Sequence, residues 1–119
     1  MTVDHLRENE RLPVESGFLR YDSDWVWLLR DAGVIRLALV TCRAHDTIIL
    51  LQLHAFGELP FGGMQRLLRA VRDECRERKI RAFLCWFSDR DTESVLEKGL
   101  EPYIIGRQQF NGEFVSGLI

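Results

Sequence analysis

The sequence has little of what marks a secreted, membrane-spanning or metal-holding protein. Its three cysteines, Cys42, Cys75 and Cys85, are an odd number without C-x-x-C spacing and sit in apolar or helical contexts. That argues against a disulfide framework and for a reducing compartment. No apolar run approaches the roughly 20 residues of a membrane span, because Arg and Gln interrupt the strand-like runs. The opening Met1-Thr2-Val3-Asp4-His5-Leu6-Arg7-Glu8 is polar and charged, without the apolar centre of a secretory signal. We therefore expect a soluble, cytoplasmic protein with no membrane partner. Charge of one sign is also missing: 16 basic against 18 acidic side chains give a net −2, so no bulk field draws nucleic acid. No His/Cys/Asp/Glu set has metal-ligand spacing, and His45 and Asp46 only adjoin a turn. There is no internal repeat and no low-complexity segment. At 119 residues the chain fits one domain able to bury roughly two-thirds of its surface.

What is present is organised around residues 48–87. The apolar run Ile48–Phe56, a Gly/Pro break from Gly57 to Gly63, an amphipathic stretch to about Lys79 and a second apolar run Ile80–Phe87 read as strand, helix and parallel strand. Near-continuous apolar runs joined by a helix are what strands buried on both faces require. Along the helix Met64, Leu67, Leu68, Val71 and Cys75 form one apolar stripe. The arginines on its other faces interleave with Asp73, Glu74 and Glu77, which favours i,i+4 pairing over a nucleic-acid surface.

Upstream, Trp25–Arg30 and Val34–Thr41 flank a turn at Asp31-Ala32-Gly33, an antiparallel hairpin that continues into the 48–56 strand as a meander. Residues 1–24 form an N-terminal extension, weakly ordered or adding an edge element: Val3–Arg11 reads as a short polar helix stopped before Pro13, and Gly17–Tyr21 as a short edge strand. Downstream, Ser88–Glu93 offers helix N-caps, Gly99 a C-terminal cap, and Asn111-Gly112 a tight hairpin turn. The predicted class is α+β: a mixed central sheet with an antiparallel meander, a β-α-β crossover and a C-terminal hairpin. Where the first crossover strand meets the helix, unpartnered backbone N–H groups and the helix dipole favour an anion.

This order, with the stretches Leu51-Gln52-Leu53-His54-Ala55, Leu59-Pro60-Phe61-Gly62-Gly63-Met64-Gln65-Arg66-Leu67-Leu68 and Val95–Tyr103, resembles the GNAT superfamily of N-acetyltransferases over residues 25–119. The resemblance implies an acyl-CoA N-acyltransferase-like fold and acetyl-CoA as cosubstrate. It further implies a Q/R-x-x-G-x-G/A loop cradling the coenzyme pyrophosphate, and transfer of an acetyl group to a primary amine. Several positions depart from the pattern. Gly62 takes the first loop glycine but Met64 the second; the Glu58–Phe61 segment replaces the loop arginine or glutamine; Glu97, Lys98 and Gly99 are kept, but Val95 or Leu96 stands in for the tyrosine that serves as general acid. The family also carries a strand and a helix pair before the meander, for which residues 1–24 are too short. These departures keep a second class in view: a catalytically inactive interaction or structural module with a protein partner or a second copy of itself.

On the resemblance, Leu53, Ala55, Gly62, Gly63, Met64, Gln65 and Arg66 bind the coenzyme, with Arg69 in reach of its phosphates. His54, Glu58 and Tyr103 are the catalytic candidates, the first two as bases and the third as proton donor. Each has a plainer reading. The glycines are also ordinary strand-to-helix punctuation, Arg66 and Arg69 a solvated face, His54 a hydrogen-bonded structural histidine, Glu58 a loop charge, and Tyr103 a core tyrosine. Cys75 and Cys85 read as small core residues, and Trp25, Trp27 and Trp86 as core anchors.

Overall fold

The computed structural model describes residues 1–12, 22–87, 104–109 and 113–118. Within them the chain runs β1 (Thr2–His5), a 3-10 turn at Ser23–Trp25, β2 (Val26–Asp31), β3 (Val34–Ala44), β4 (Thr47–Ala55), α1 (Gly63–Glu77), β5 (Ala82–Phe87), β6 (Ile104–Gln109) and β7 (Glu113–Leu118). The seven strands form one sheet in the order β1-β2-β3-β4-β5-β7-β6. Every neighbouring pair is antiparallel except β4 and β5, the crossover pair, which are parallel. The expected meander, crossover and terminal strand pair are all present.

The sheet is buried on both sides in its centre, which is why β2 reads as an unbroken apolar run: Val26 to Arg30 are all buried. On one side α1 lays down Met64, Leu67, Val71 and Cys75 against Leu29, Leu37 and Leu39 of the sheet. On the other side Leu6 and Leu12 cover Val26, Leu28, Ala38 and Val40. Each such side chain contributes about 1.5–3 kcal/mol by leaving water, before ordering entropy is charged against it.

One expectation is overturned at the N-terminus. Val3–Arg11 is not a helix; Thr2–His5 is an edge strand that pairs with Trp27–Arg30. A short polar helix has only its costly nucleus to stand on, whereas the edge of β2 offers a ready row of backbone partners. The expected edge strand at Gly17–Tyr21, the second helix at 88–99, Tyr103 and the Asn111-Gly112 turn lie outside the described residues.

Two side-chain clusters tie this strand down. Arg30, 6 % exposed, forks onto Asp4 at 2.8 Å and onto both oxygens of Glu10 at 2.5 and 2.7 Å. The Arg30 guanidinium holds the Glu10 carboxyl down at about 2. At the other end of β1, His5 Nε2 lies 2.6 Å from Glu74 on α1, and the indole N–H of Trp27 donates to the same carboxylate at 2.5 Å. Trp25 packs edge-on against Trp27 at 5.8 Å and beneath the Arg78 guanidinium at 4.5 Å.

Because the folded-state pKa of Glu10 is depressed, its stabilisation is complete above its unfolded value of 4.5 and is lost as pH falls towards about 2. Glu10→Gln leaves Arg30 half-matched and costs on the order of 1–3 kcal/mol at neutral pH. Urea unfolding of the two proteins from pH 7 to pH 3 checks this: the gap between them narrows on the acid side.

Candidate functional site

The site is built by a change of register in β4. Gln52 pairs with Val40 but Leu50 pairs with Thr41, so Leu51 is an extra residue with no partner on β3. A bulge bends its strand, increases its twist and reverses the side-chain alternation. Before it, Ile48 and Leu50 point to the α1 side; beyond it, Leu53 does, and Phe56 joins the opposite face. Gln52 and His54 alternate with Leu53 and so share the face of Phe56.

The same bulge opens the sheet. Parallel pairing of β4 with β5 spans Thr47–Leu50 and ends there at Cys85; Trp86 and Phe87 continue on β7 alone. From Leu51 to Ala55 the outer edge of β4 has no strand partner among the described residues. Phe56 donates its N–H to the Arg36 carbonyl at 2.9 Å. Antiparallel alternation then directs the backbone groups of His54 and Gln52 to β3, and those of Leu53 and Ala55 to the open edge.

At the end of this edge the chain turns into α1 through two glycines with different duties. Gly62 is the N-cap, with φ of 72°, no side-chain cap and open space where a Cβ would stand; its left-handed backbone suits glycine. Gly63 is buried, and a Cβ there would meet Leu29 Cδ2 at 2.8 Å, so its lack of a side chain lets the helix seat on β2. Gly63 donates its N–H to the Pro60 carbonyl at 2.9 Å, while the N–H groups of Met64 and Gln65 have no backbone acceptor among the described residues. The first turn holds no acidic side chain. Around this turn Phe61, Gly62, Gln65, Arg66 and Arg69 line an open recess of about 430 Å³, in the size range of ligand sites. Arg66 and Arg69 are exposed and have no ion-pair partner among the described residues.

Gly62, Gln65 and Arg66 thus come together as the sequence suggests, while Met64 is buried and offers only its backbone. Leu53 and Ala55 lie on the open edge. His54 is half-buried on the face away from α1. It sets Nε2 2.9 Å from Gln52 Oε1 and its ring 6.3 Å from Phe56 at an interplanar angle of 29°. Burial lowers its pKa below the ordinary 6.5, so the ring is neutral at neutral pH. Glu58 is exposed in the loop without a hydrogen bond or ion pair among the described residues. Burial pushes Cys75 up to about 11 and Cys85 up to about 12, which leaves them inert core thiols, as expected. Two contributors are not among the residues singled out from the sequence. Phe61, fully exposed, is signalled only by its place between Pro60 and the glycines; Gln52 is signalled only by standing two residues from His54 on one strand face. No metal-holding cluster and no helix long and apolar enough to cross a membrane occur among the described residues.

No protein-family model matches the sequence, and neither does any curated protein. Solved structures match the fold. The ribosomal-protein-S18-alanine N-acetyltransferase of Escherichia coli superposes with a TM-score of 0.68 at 12% identity, over 99% of this chain and 92% of that one. The PaiA N-acetyltransferase of Thermoplasma acidophilum, solved with coenzyme A, gives 0.66 at 8% identity over 79% of this chain. N-acetylglutamate synthase of Neisseria gonorrhoeae, solved with coenzyme A and N-acetyl-glutamate, gives 0.61 at 12% over the same share. The matched region spans 60% of the PaiA chain and 25% of the synthase. The fold is the α+β fold of the GNAT N-acetyltransferases.

The two glycines respond differently to substitution. Gly62→Ala costs about 1–2 kcal/mol through its backbone alone, and Gly62→Asn recovers most of that. Gly63→Ala costs roughly 1–3 kcal/mol through overpacking, and less in a Leu29→Val background, a coupling that thermal unfolding of the double-mutant cycle reads directly. For His54, the unfolded chain binds more protons than the folded one below pH 6.5, so stability falls as pH drops from 6.5 towards the lowered folded value. His54→Asn flattens that segment of the pH–stability curve.

Proposed function

We propose that the chain binds acetyl-CoA at the bulged end of β4 and transfers its acetyl group to a primary amine. The observation that carries this reading is the coincidence of an open β4 edge with a cationic, uncapped helix start immediately after it. The residues present suit the coenzyme. Gly62 keeps the space over the first turn clear, the N–H groups of Met64 and Gln65 are available to phosphate oxygens, and Arg66 and Arg69 supply two uncompensated guanidinium groups. Glu58 is the one anion of the loop, and its exposure leaves it free to turn to water. Coenzyme-bound neighbours with this fold add support.

When bound, acetyl-CoA supplies an acetyl group already activated as a thioester. The chain's own part is to position and to move a proton. Backbone groups of Leu53 and Ala55 hold the extended arm along the edge in the manner of an added strand. His54, neutral at neutral pH, takes the proton released as the amine nitrogen bonds to the acyl carbon and the carbon–sulfur bond breaks; the leaving thiolate regains a proton from water. Glu58 is the alternative base from the loop, and Tyr103 the alternative to water as proton donor to the leaving sulfur.

Calorimetric titration with acetyl-CoA tests the reading. Micromolar binding is expected. Gly62→Glu, which sets a carboxylate over the phosphate seat, abolishes it, and Arg66→Ala with Arg69→Ala weakens it at least tenfold while leaving the unfolding temperature within a few degrees. No heat at millimolar coenzyme removes the cofactor from this protein and favours the interaction module.

A further inference from the structure

Beyond the bulge, three side chains stand on the face of β4 turned away from α1. His54 lies between Gln52, two residues before it, and Phe56, two residues after it. The imidazole is restrained from both sides, by the hydrogen bond of 2.9 Å to Gln52 Oε1 and by the stacked Phe56 ring at 6.3 Å. With the Gln52 amide assigned in this orientation its oxygen faces the ring, and since an oxygen only accepts, Nε2 is the nitrogen that carries the hydrogen. A neutral imidazole with its hydrogen on Nε2 has its lone pair on Nδ1, and Nδ1 has no hydrogen-bond partner among the described residues. Ala38 is the residue of β3 paired with His54, and the nearest charged residue of that strand is Arg36, whose carbonyl accepts from the Phe56 N–H. Burial is the sole cause found for the lowered pKa, which fits a ring held neutral with one nitrogen committed and the other free.

We infer that Gln52 is a positioning residue: it fixes His54 in the tautomer protonated at Nε2 and so presents an unprotonated Nδ1 as the proton acceptor. This rests on the acetyl-transfer reading for its purpose, while the tautomer is a property of the protein without coenzyme. The bulge makes the arrangement available. In a strand of regular register carrying the same residues, the alternation set by Ile48 and Leu50 would send Gln52 and His54 into the core beneath α1.

Long-range proton–nitrogen NMR on protein labelled with nitrogen-15 in its histidines tests the assignment, the His54 signals being identified by their loss in His54→Asn. The expected wild-type pattern at neutral pH is a protonated Nε2 and an unprotonated Nδ1, in at least tenfold preference over the other tautomer. Gln52→Glu keeps that tautomer and raises the midpoint of His54 protonation by about 1 pH unit, since a carboxylate at Nε2 favours the charged ring. Gln52→Leu removes the acceptor and lets the two tautomers mix, with His5 and His45 signals unchanged as the check on folding. A wild-type ring protonated at Nδ1, or a Gln52→Leu protein with the wild-type tautomer, overturns the inference. Should the tautomer hold while acetyl-CoA fails to bind, the positioning role of Gln52 is supported and the transfer reading falls. With an amine acceptor in hand, the acid limb of the rate profile moves up in Gln52→Glu by the same interval as the NMR midpoint, a shift that a purely structural role would not produce.

Discussion

A single unpaired residue in β4 governs the useful half of this molecule. Leu51 has no counterpart on β3, and two consequences follow from that one defect. The strand bends away from β5, so pairing stops at Leu50 and the edge is left open. The faces of the strand exchange, so Leu53 replaces Leu50's successor in the core and the polar pair Gln52 and His54 moves to the opposite side. Beyond the strand end the chain turns into α1, whose Met64 and Gln65 N–H groups have no backbone acceptor among the described residues. A regular β4 would have kept its pairing geometry and its side-chain alternation unbroken.

The rigid surroundings explain how a sheet tolerates such a gap. On the α1 side the core is continuous from Trp27 through Leu39 and Leu67 to Phe83. On the other side the N-terminal segment is held by Arg30 with Asp4 and Glu10, and β1 is stapled to α1 through Glu74. Glu74 gathers contacts from His5, Trp27 and Arg78, so one carboxylate joins two strands to the far end of the helix. The open edge is therefore a local opening in a frame closed elsewhere, which is the pre-organisation a binding site requires.

Much of this was legible in the sequence because it rests on patterns with a period. The two apolar runs around an amphipathic helix specify the crossover, and of the expected helix stripe Met64, Leu67, Val71 and Cys75 are buried while Leu68 is partly so. The N-terminal strand was not legible: Thr2–His5 carries one aliphatic side chain, and its conformation is decided by the edge of β2 that it covers, a long-range pairing that no local propensity records. The bulge was equally hidden, since Ile48–Leu51 is apolar without a break and alternation in such a stretch carries no register. Gly62 and Arg66 stand at the break and the helix start, a placement that Gly/Pro punctuation and the helix stripe make legible; Gln52 and Phe61 emerged only when the strand's register and the loop's exposure were seen.

The adjoining glycines at the start of α1 also bear on how this chain relates to its distant structural neighbours. Gly62 answers to a backbone angle and Gly63 to the volume of Leu29, so the two positions are under separate selection. Residue 62 needs a left-handed backbone and, on the coenzyme reading, a clear space above the turn, whereas residue 63 can gain a methyl group only in company with a smaller side chain at 29. Positions 63 and 29, thirty-four residues apart in sequence, should therefore covary among descendants of this chain, while position 62 varies alone. A fixed glycine spacing is a poor signature for such a turn, because the spacing records two unrelated constraints that merely happen to adjoin.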